Sequence, residues 1–194
     1  MAFDDTGLER ALRAEAKSGL DIQADGVDLT IIGYGWMAVV PLAALRSRLR
    51  GTLGALVEML GYIPAAETVR LWKNKGDFMV QTELPEAFAD SVCEYAEETE
   101  EEEIRATPLR MGAAVLMQKR GGEIVGVSSR APALNIKKTT VTPGGIVRQE
   151  DEDAGERLYR LSRRPRADTD SEAEVARWKH LEAIAWCDWD APEE

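Results

Sequence analysis

The chain is poor in the residues that most often carry chemistry. Its 194 residues include one histidine, His180, and two cysteines, Cys93 and Cys187. Thiols so far apart make no ribbon or finger spacing and allow only one internal bridge. The start, "MAFDDTGLERALRAEAK", has no basic patch followed by an apolar run, so no secretory leader is expected. That predicts a cytoplasmic setting with both thiols reduced. No G-x-S-x-G elbow and no P-loop lysine motif occur. His180, beside Lys179 in a helical segment, reads as a surface or packing histidine. Both cysteines fall on predicted helices as small hydrophobes. Catalysis has little to build on, although a small enzyme of unrecognised type stays open.

Long apolar runs are missing too. The stretch from Leu29 to Leu45 has no charge, but a membrane span needs about 20 predominantly apolar residues. Gly33, Tyr34, Gly35 and Pro41 interrupt it further, so no membrane partner is expected. Aromatic residues make up only 6% of the chain. Tyr159 is the sole ring between residues 96 and 177, which argues against a stacking platform for single-stranded nucleic acid.

What is present fits a soluble globular protein of one domain, or one domain with a small lobe: 44% apolar and 30% charged residues. The formal net charge of -11 disfavours unspecific binding to nucleic acid or anionic lipid and favours basic partners. That charge is segregated. Residues 83–103 carry 10 acids and no base, whereas residues 104–149 carry 8 bases against Glu123 alone. An acidic "EDEDAGE" and a basic "RLYRLSRRPR" follow, and the last 28 residues are acidic again apart from Arg177 and Lys179. Such blocks are solvated faces, internally neutralising partners, or docking surfaces.

Periodicity and punctuation give an α+β layout with an antiparallel or mixed sheet built from hairpins. N-terminal, central and C-terminal helices pack on it. "TGLERALRAEAKSGL" reads as a helix with Thr6 and Glu9 at capping-box spacing and Gly19 as its stop. "VDLTIIG" reads as a buried strand. Leucines at 42, 45, 49, 53, 56 and 60 predict a helix between Pro41 and Gly61, which either packs closely against something at Gly51 and Gly54 or breaks there. "TVRLWKNKGDFMVQT" predicts a hairpin turning at 74–77. "LPEAFADSVCEYAEETEEEE" predicts a helix with Phe88, Val92 and Tyr95 as its apolar stripe. Glu100 to Glu103 would fray from its end, where the dipole disfavours anions.

Further hairpins are expected at Arg120–Glu123 and at Pro143-Gly144, the latter as a type II turn. "ERLYRLSRRP" adds a last strand. "DSEAEVARWKHLEAIAWCDWD" closes the chain as a helix with a Ser171/Glu174 capping box and a Val175, Trp178, Leu181, Ala185 face. A boundary is expected near residue 104, between a 1–103 helix-and-hairpin region and a 104–194 basic-hairpin region with its helix. A single domain over 1–194 is the alternative.

Three site readings compete. In the first, Glu94, Glu97, Glu98 and Glu100 to Glu103 form a carboxylate-rich surface for a basic protein or nucleoprotein, by analogy with nucleic-acid mimicry. In the second, Lys119, Arg120, Arg130, Lys137, Lys138, Arg148, Arg163 and Arg164 follow a phosphate backbone. In the third, Gly33-Tyr34-Gly35-Trp36-Met37-Ala38 fits G-x-G-x-x-[GA] and Glu58 stands where an acid would meet a ribose. Pro41 would then fall inside the required helix at a cost of about 3 kcal/mol. "EDEDAGERLYRL" resembles a calcium loop but has Ala154 and Leu161 where ligands are needed. No metal or cofactor is assigned. The favoured expectation is a non-enzymatic regulatory protein acting through its acidic face, with inhibition of a nucleic-acid-handling complex as one form of that role. The runner-up is nucleic-acid or nucleotide binding by the basic hairpins or the glycine loop.

Overall fold

The computed structural model describes residues 2–82, 84, 89–134 and 138–189. The first part of the chain runs α1 (Asp5–Glu15), β1 (Leu20–Ala24), β2 (Asp28–Gly33), β3 (Trp36–Pro41), α2 (Leu42–Ser47), α3 (Arg50–Leu60), β4 (Thr68–Asn74) and β5 (Asp77–Gln81). These strands lie in the order β3-β2-β1-β4-β5, all antiparallel. The helices cover one face. Leu8, Leu12, Leu45, Leu49 and Leu56 meet Leu20, Ile22, Leu29, Ile31 and Leu71 in the largest core cluster.

One sequence expectation changes here and one open choice is decided, both for local reasons. Helix α1 begins earlier than the Thr6/Glu9 box implied, because Asp4 is the N-cap and accepts the Gly7 amide at 2.8 Å. Asp5 is thereby released to cap a different helix. Its carboxylate accepts the Gly51 and Thr52 amides of α3 at 2.7 and 2.8 Å. Burial works against this charge most strongly, but the Thr52 and Gly51 amides outweigh it and hold the Asp5 carboxyl below the usual range. The leucine segment is two helices, broken at Arg48 and Leu49. The break brings Gly51 so close to α1 that a Cβ would stand 2.8 Å from Glu9 Oε2 and 3.0 Å from Asp5 Oδ2. Gly61 ends α3 in the left-handed region, as its position suggested.

The second part runs α4 (Ala89–Glu98), β6 (Glu102–Met111), β7 (Ala114–Lys119), β8 (Ile124–Ser128), β9 (Thr139–Val141), β10 (Ile146–Asp151), β11 (Glu156–Arg163) and α5 (Glu172–Glu182). Pairing runs β6-β7-β8-β11-β10-β9 and returns to β6, which closes a six-stranded barrel. Strand β11 changes neighbour along one edge. Arg157 to Arg160 pair with β3, and Ser162 and Arg163 pair with β8. One strand therefore joins the barrel to the first sheet, giving 11 antiparallel strands in continuous connection. The compositional shift near residue 104 coincides with entry into the barrel. Ile104, Met117, Val125, Val127, Val141 and Val147 fill it.

The acidic run does not fray from a helix. Helix α4 stops at Glu98, and Glu102 and Glu103 are strand residues paired with Val141 and Thr140 of β9. Sheet pairing overrides the weak β-propensity of glutamate at this position. The buried side of α4 is also different. Ala96 is its fully buried residue and Val92 and Cys93 pack beside it on Met37, Val39, Ile146 and Tyr159, whereas Tyr95 is largely exposed. Phe88 lies outside the described residues. In the β9–β10 turn the left-handed residue is Gly145, at φ +83, and not Gly144. The turn is thus not type II; it follows the pattern in which a turn is closed by a left-handed glycine. The Ser171/Glu174 cap holds, with the Glu174 amide 3.2 Å from Ser171 Oγ. Trp178 is the buried anchor of α5, while Ala185 is exposed.

Candidate functional site

The acidic and basic blocks meet each other. Glu97 reaches Arg157 at 3.2 Å, Glu101 reaches Arg148 at 3.1 Å and Glu102 reaches Lys119 at 3.3 Å. Glu103 pairs with Arg105 at 3.1 Å. Arg148 also holds Glu150, and Arg164 holds Glu123 and Glu182 at 2.6 Å each. Burial opposes the Arg148 charge most, but the Glu101 and Glu150 carboxylates outweigh it and hold the guanidinium above its ordinary pKa. Of the acidic candidates, Glu94 and Glu100 remain exposed without an ion pair among the described residues; the Glu98 side chain lies outside them. Of the basic ones, Arg120 lies 5.7 Å over the Trp189 ring, Arg130 and Lys138 are exposed, and Lys137 lies outside the described residues.

These pairs link α4, β6, β7, β10 and β11, while the Glu97 and Glu102 side chains stay about half exposed, at 48% and 49%. Glu101→Gln is expected to lower unfolding stability by about 1 kcal/mol, since it loosens a largely shielded pair that spans the α4–β6 junction and β10. A shift of the urea midpoint with an unchanged m-value checks this.

The glycine loop is not a strand-to-helix turn. Gly33 pairs with Trp36 across a two-residue hairpin of Tyr34 and Gly35, and the chain continues as strand β3. No helix N-terminus follows Gly35, so backbone amides are not collected there for a pyrophosphate. Ala38 is buried in the first core. Glu58, on α3, binds Arg13 at 2.8 Å. Among the described residues, no three His, Cys, Asp or Glu side chains converge to hold a metal. No disulfide links Cys93 and Cys187. Among those residues no helix is long and apolar enough to cross a membrane.

A cleft of about 350 Å³ lies where α5 crosses the outer wall of the barrel. Arg110 and Met111 come from the end of β6, Gly112 from the β6–β7 turn, Ala114 from the start of β7, and Gly126 from β8. Arg163 comes from the end of β11, and Glu174, Arg177 and Trp178 from α5. Trp178 makes the apolar wall. Its Nε1 donates to the Ile124 carbonyl at 3.1 Å, which fixes the ring. Gly126 lies close against it, and a Cβ there would sit 3.2 Å from the indole, a tight contact.

Three arginines and one glutamate line the cleft. Arg163 is tied to Asp170 at 2.6 Å and to Glu174 at 3.5 Å. Arg110 and Arg177 are exposed and have no ion pair among the described residues. The arrangement offers donors for an oxyanion beside an apolar wall formed by the edge of Trp178, which is 6% exposed.

Arg163 was among the sequence candidates. Arg110 belongs to the same basic block, and Arg177 is one of two bases in an acidic stretch, a weak signal that nothing local strengthens. A search of protein-family models, of curated proteins and of solved structures finds no match to this chain.

Proposed function

We propose that the protein is a non-enzymatic binding protein whose ligand is a small molecule bearing a phosphate or carboxylate, held in the cleft between α5 and the barrel. The observation that carries this reading is the convergence of Arg110, Arg163 and Arg177 beside Trp178. Size restricts the ligand. A volume near 350 Å³ lies at the small end of ligand sites and suits an anionic group with one flat ring system. Charge restricts it further. The net charge of -11, with Asp170 and Glu174 at the cleft, repels a long polyanion, whereas a single anionic group answers only to its nearest cations.

Adenosine monophosphate and benzoate are suitable probes. Binding to the wild-type chain is expected to weaken about tenfold or more for each of Arg110→Ala and Arg177→Ala, as for loss of a charge-assisted hydrogen bond. Both side chains are exposed, so circular dichroism should report an unchanged fold. No binding of either probe at millimolar concentration would remove the reading. A basic macromolecular partner for the acidic face is the second reading. It now rests on Glu94 and Glu100, the carboxylates of that set left exposed and unpaired among the described residues.

A further inference from the structure

Closing the barrel leaves the sheet with a single free edge. Among the described residues, ten of the eleven strands have a strand on either side, and β5 has β4 alone. The β4–β5 pairing runs without a register shift from Asn74 and Asp77 to Arg70 and Gln81. Its turn has two residues, Lys75 at φ 49 and Gly76 at φ 106, the form in which the flanking residues 74 and 77 exchange both hydrogen bonds. Alternation along the ladder then aims the amides and carbonyls of Asp77, Met79 and Gln81 at β4, and those of Phe78 and Val80 outward. Edges of this kind are ordinarily guarded by lysine, proline or a bulge. Strand β5 has none of these, and Asp77 is its one charge.

Apolar side chains flank the edge on both faces. On the helix-covered face Phe78 and Val80 are only half-buried against the first core. Helix α3 contacts β5, whereas α1 contacts β2. Gly51 and Glu58 turn toward α1, bonded to Asp5 and Arg13, so Leu53 and Val57 lie on the flank of α3 that borders the edge. On the other face Met79 stands across from Trp72, and Val57 and Met79 are each 42% exposed.

We infer that a second copy of this chain pairs here, β5 antiparallel to β5, about a twofold axis through Met79. The edge is self-complementary in that register. Phe78 faces the partner's Val80 and Val80 faces the partner's Phe78, and the two pairs satisfy every outward amide and carbonyl of the four residues. The same contact extends the apolar layer beneath Leu53 and Val57. Met79 meets the partner's Met79 on the axis, and Asp77 meets the partner's Gln81, so no like charges are opposed. The surface is small, which places the association in the weak, transient class. It is independent of the arginine cleft, which lies on the barrel wall.

The test is sedimentation equilibrium of the full chain across the micromolar range, for wild type, Met79→Lys and Met79→Glu. Wild type is expected to pass from monomer to dimer as concentration rises. Each variant alone should associate about tenfold more weakly or worse, because like charges then meet on the axis. An equimolar mixture of the two variants should recover the dimer. Met79 is exposed on the outer face, so neither substitution enters the core. Wild type that stays monomeric throughout overturns the inference, as does a dimer that both variants leave unchanged or a mixture that recovers nothing. Amide hydrogen exchange on the wild type gives a readout that needs no substitution. The Phe78 and Val80 amides should gain protection with concentration, while the Met79 amide, bonded to β4, is protected throughout. Protection of Phe78 and Val80 that does not depend on concentration would contradict pairing with a second copy.

Discussion

Gly33→Ala is expected to destabilise the protein by about 2–3 kcal/mol, the upper range for inserting a methyl group into a packed interior. The reason is the tryptophan beside it. A Cβ on Gly33 would lie 2.4 Å from Trp36 Cε2 and 2.5 Å from Nε1, inside the van der Waals radius of the ring. The indole has nowhere to go, because it is 3% exposed and belongs to the first core. Gly35 has a different role. It occupies φ +77 with open space around it, so Gly35→Ala should cost only about 1–2 kcal/mol of backbone strain. Urea unfolding of both variants measures the difference. A dinucleotide loop would behave otherwise, with stability little changed and cofactor affinity lost. The two glycines thus have structural explanations, one a close approach and one a turn.

Glu156→Ala is expected to cost about 3 kcal/mol or more, at the lower end for breaking a buried pair. Glu156 is fully buried. One carboxylate oxygen accepts the Phe3 amide at 2.6 Å and the other binds the Arg48 guanidinium. Arg48 also donates to the Phe3 carbonyl at 2.8 Å. The N-terminal segment, the α2–α3 break and strand β11 are thereby fastened at one point. Arg48 is 41% exposed and can rehydrate, so most of the loss comes from the stranded Phe3 amide and the emptied space. Glu156→Gln keeps an acceptor for Phe3 and should cost about 1–2 kcal/mol.

The pH dependence has a definite sign. Burial is the largest influence on Glu156 and holds its carboxyl above the usual glutamate value, despite Phe3 and Arg48. Stability from this group is therefore present below the unfolded pKa and falls as pH rises through the folded one. The glutamine variant should lack that component when midpoints are compared across the window.

Much of the fold is readable locally. The hairpins at 74–77 and 120–123 follow from glycines that accept positive φ, Gly76 at 106° and Gly122 at 93°, and Lys75 is drawn to 49° by the turn beside Gly76. Pro41 and Gly61 bracket the leucine segment, and Ser171 caps α5. The closure of the barrel is not readable, because it depends on pairing between strands distant in sequence: β6 with β9, and β8 with β11. Glu102 and Glu103 illustrate the difficulty. An acidic run suggests a solvated helix end, but the strand partners supplied by residues 140 and 141 decide otherwise. The cleft is less legible still. Arg110, Arg163 and Arg177 line one cleft only because the ends of β6 and β11 lie against the middle of α5, and no spacing in the sequence encodes that.

The most direct test of the account is the set of arginine side-chain resonances observed as adenosine monophosphate is added to the wild-type protein. Saturable shifts at Arg110, Arg163 and Arg177, with Arg13 and Arg70 unmoved, are the predicted result. Arg13 and Arg70 are suitable controls because each is held by its own carboxylate on the first sheet and its helices. Shifts spread evenly over all exposed arginines, or none at millimolar ligand, would contradict the claim that this cleft is a binding site.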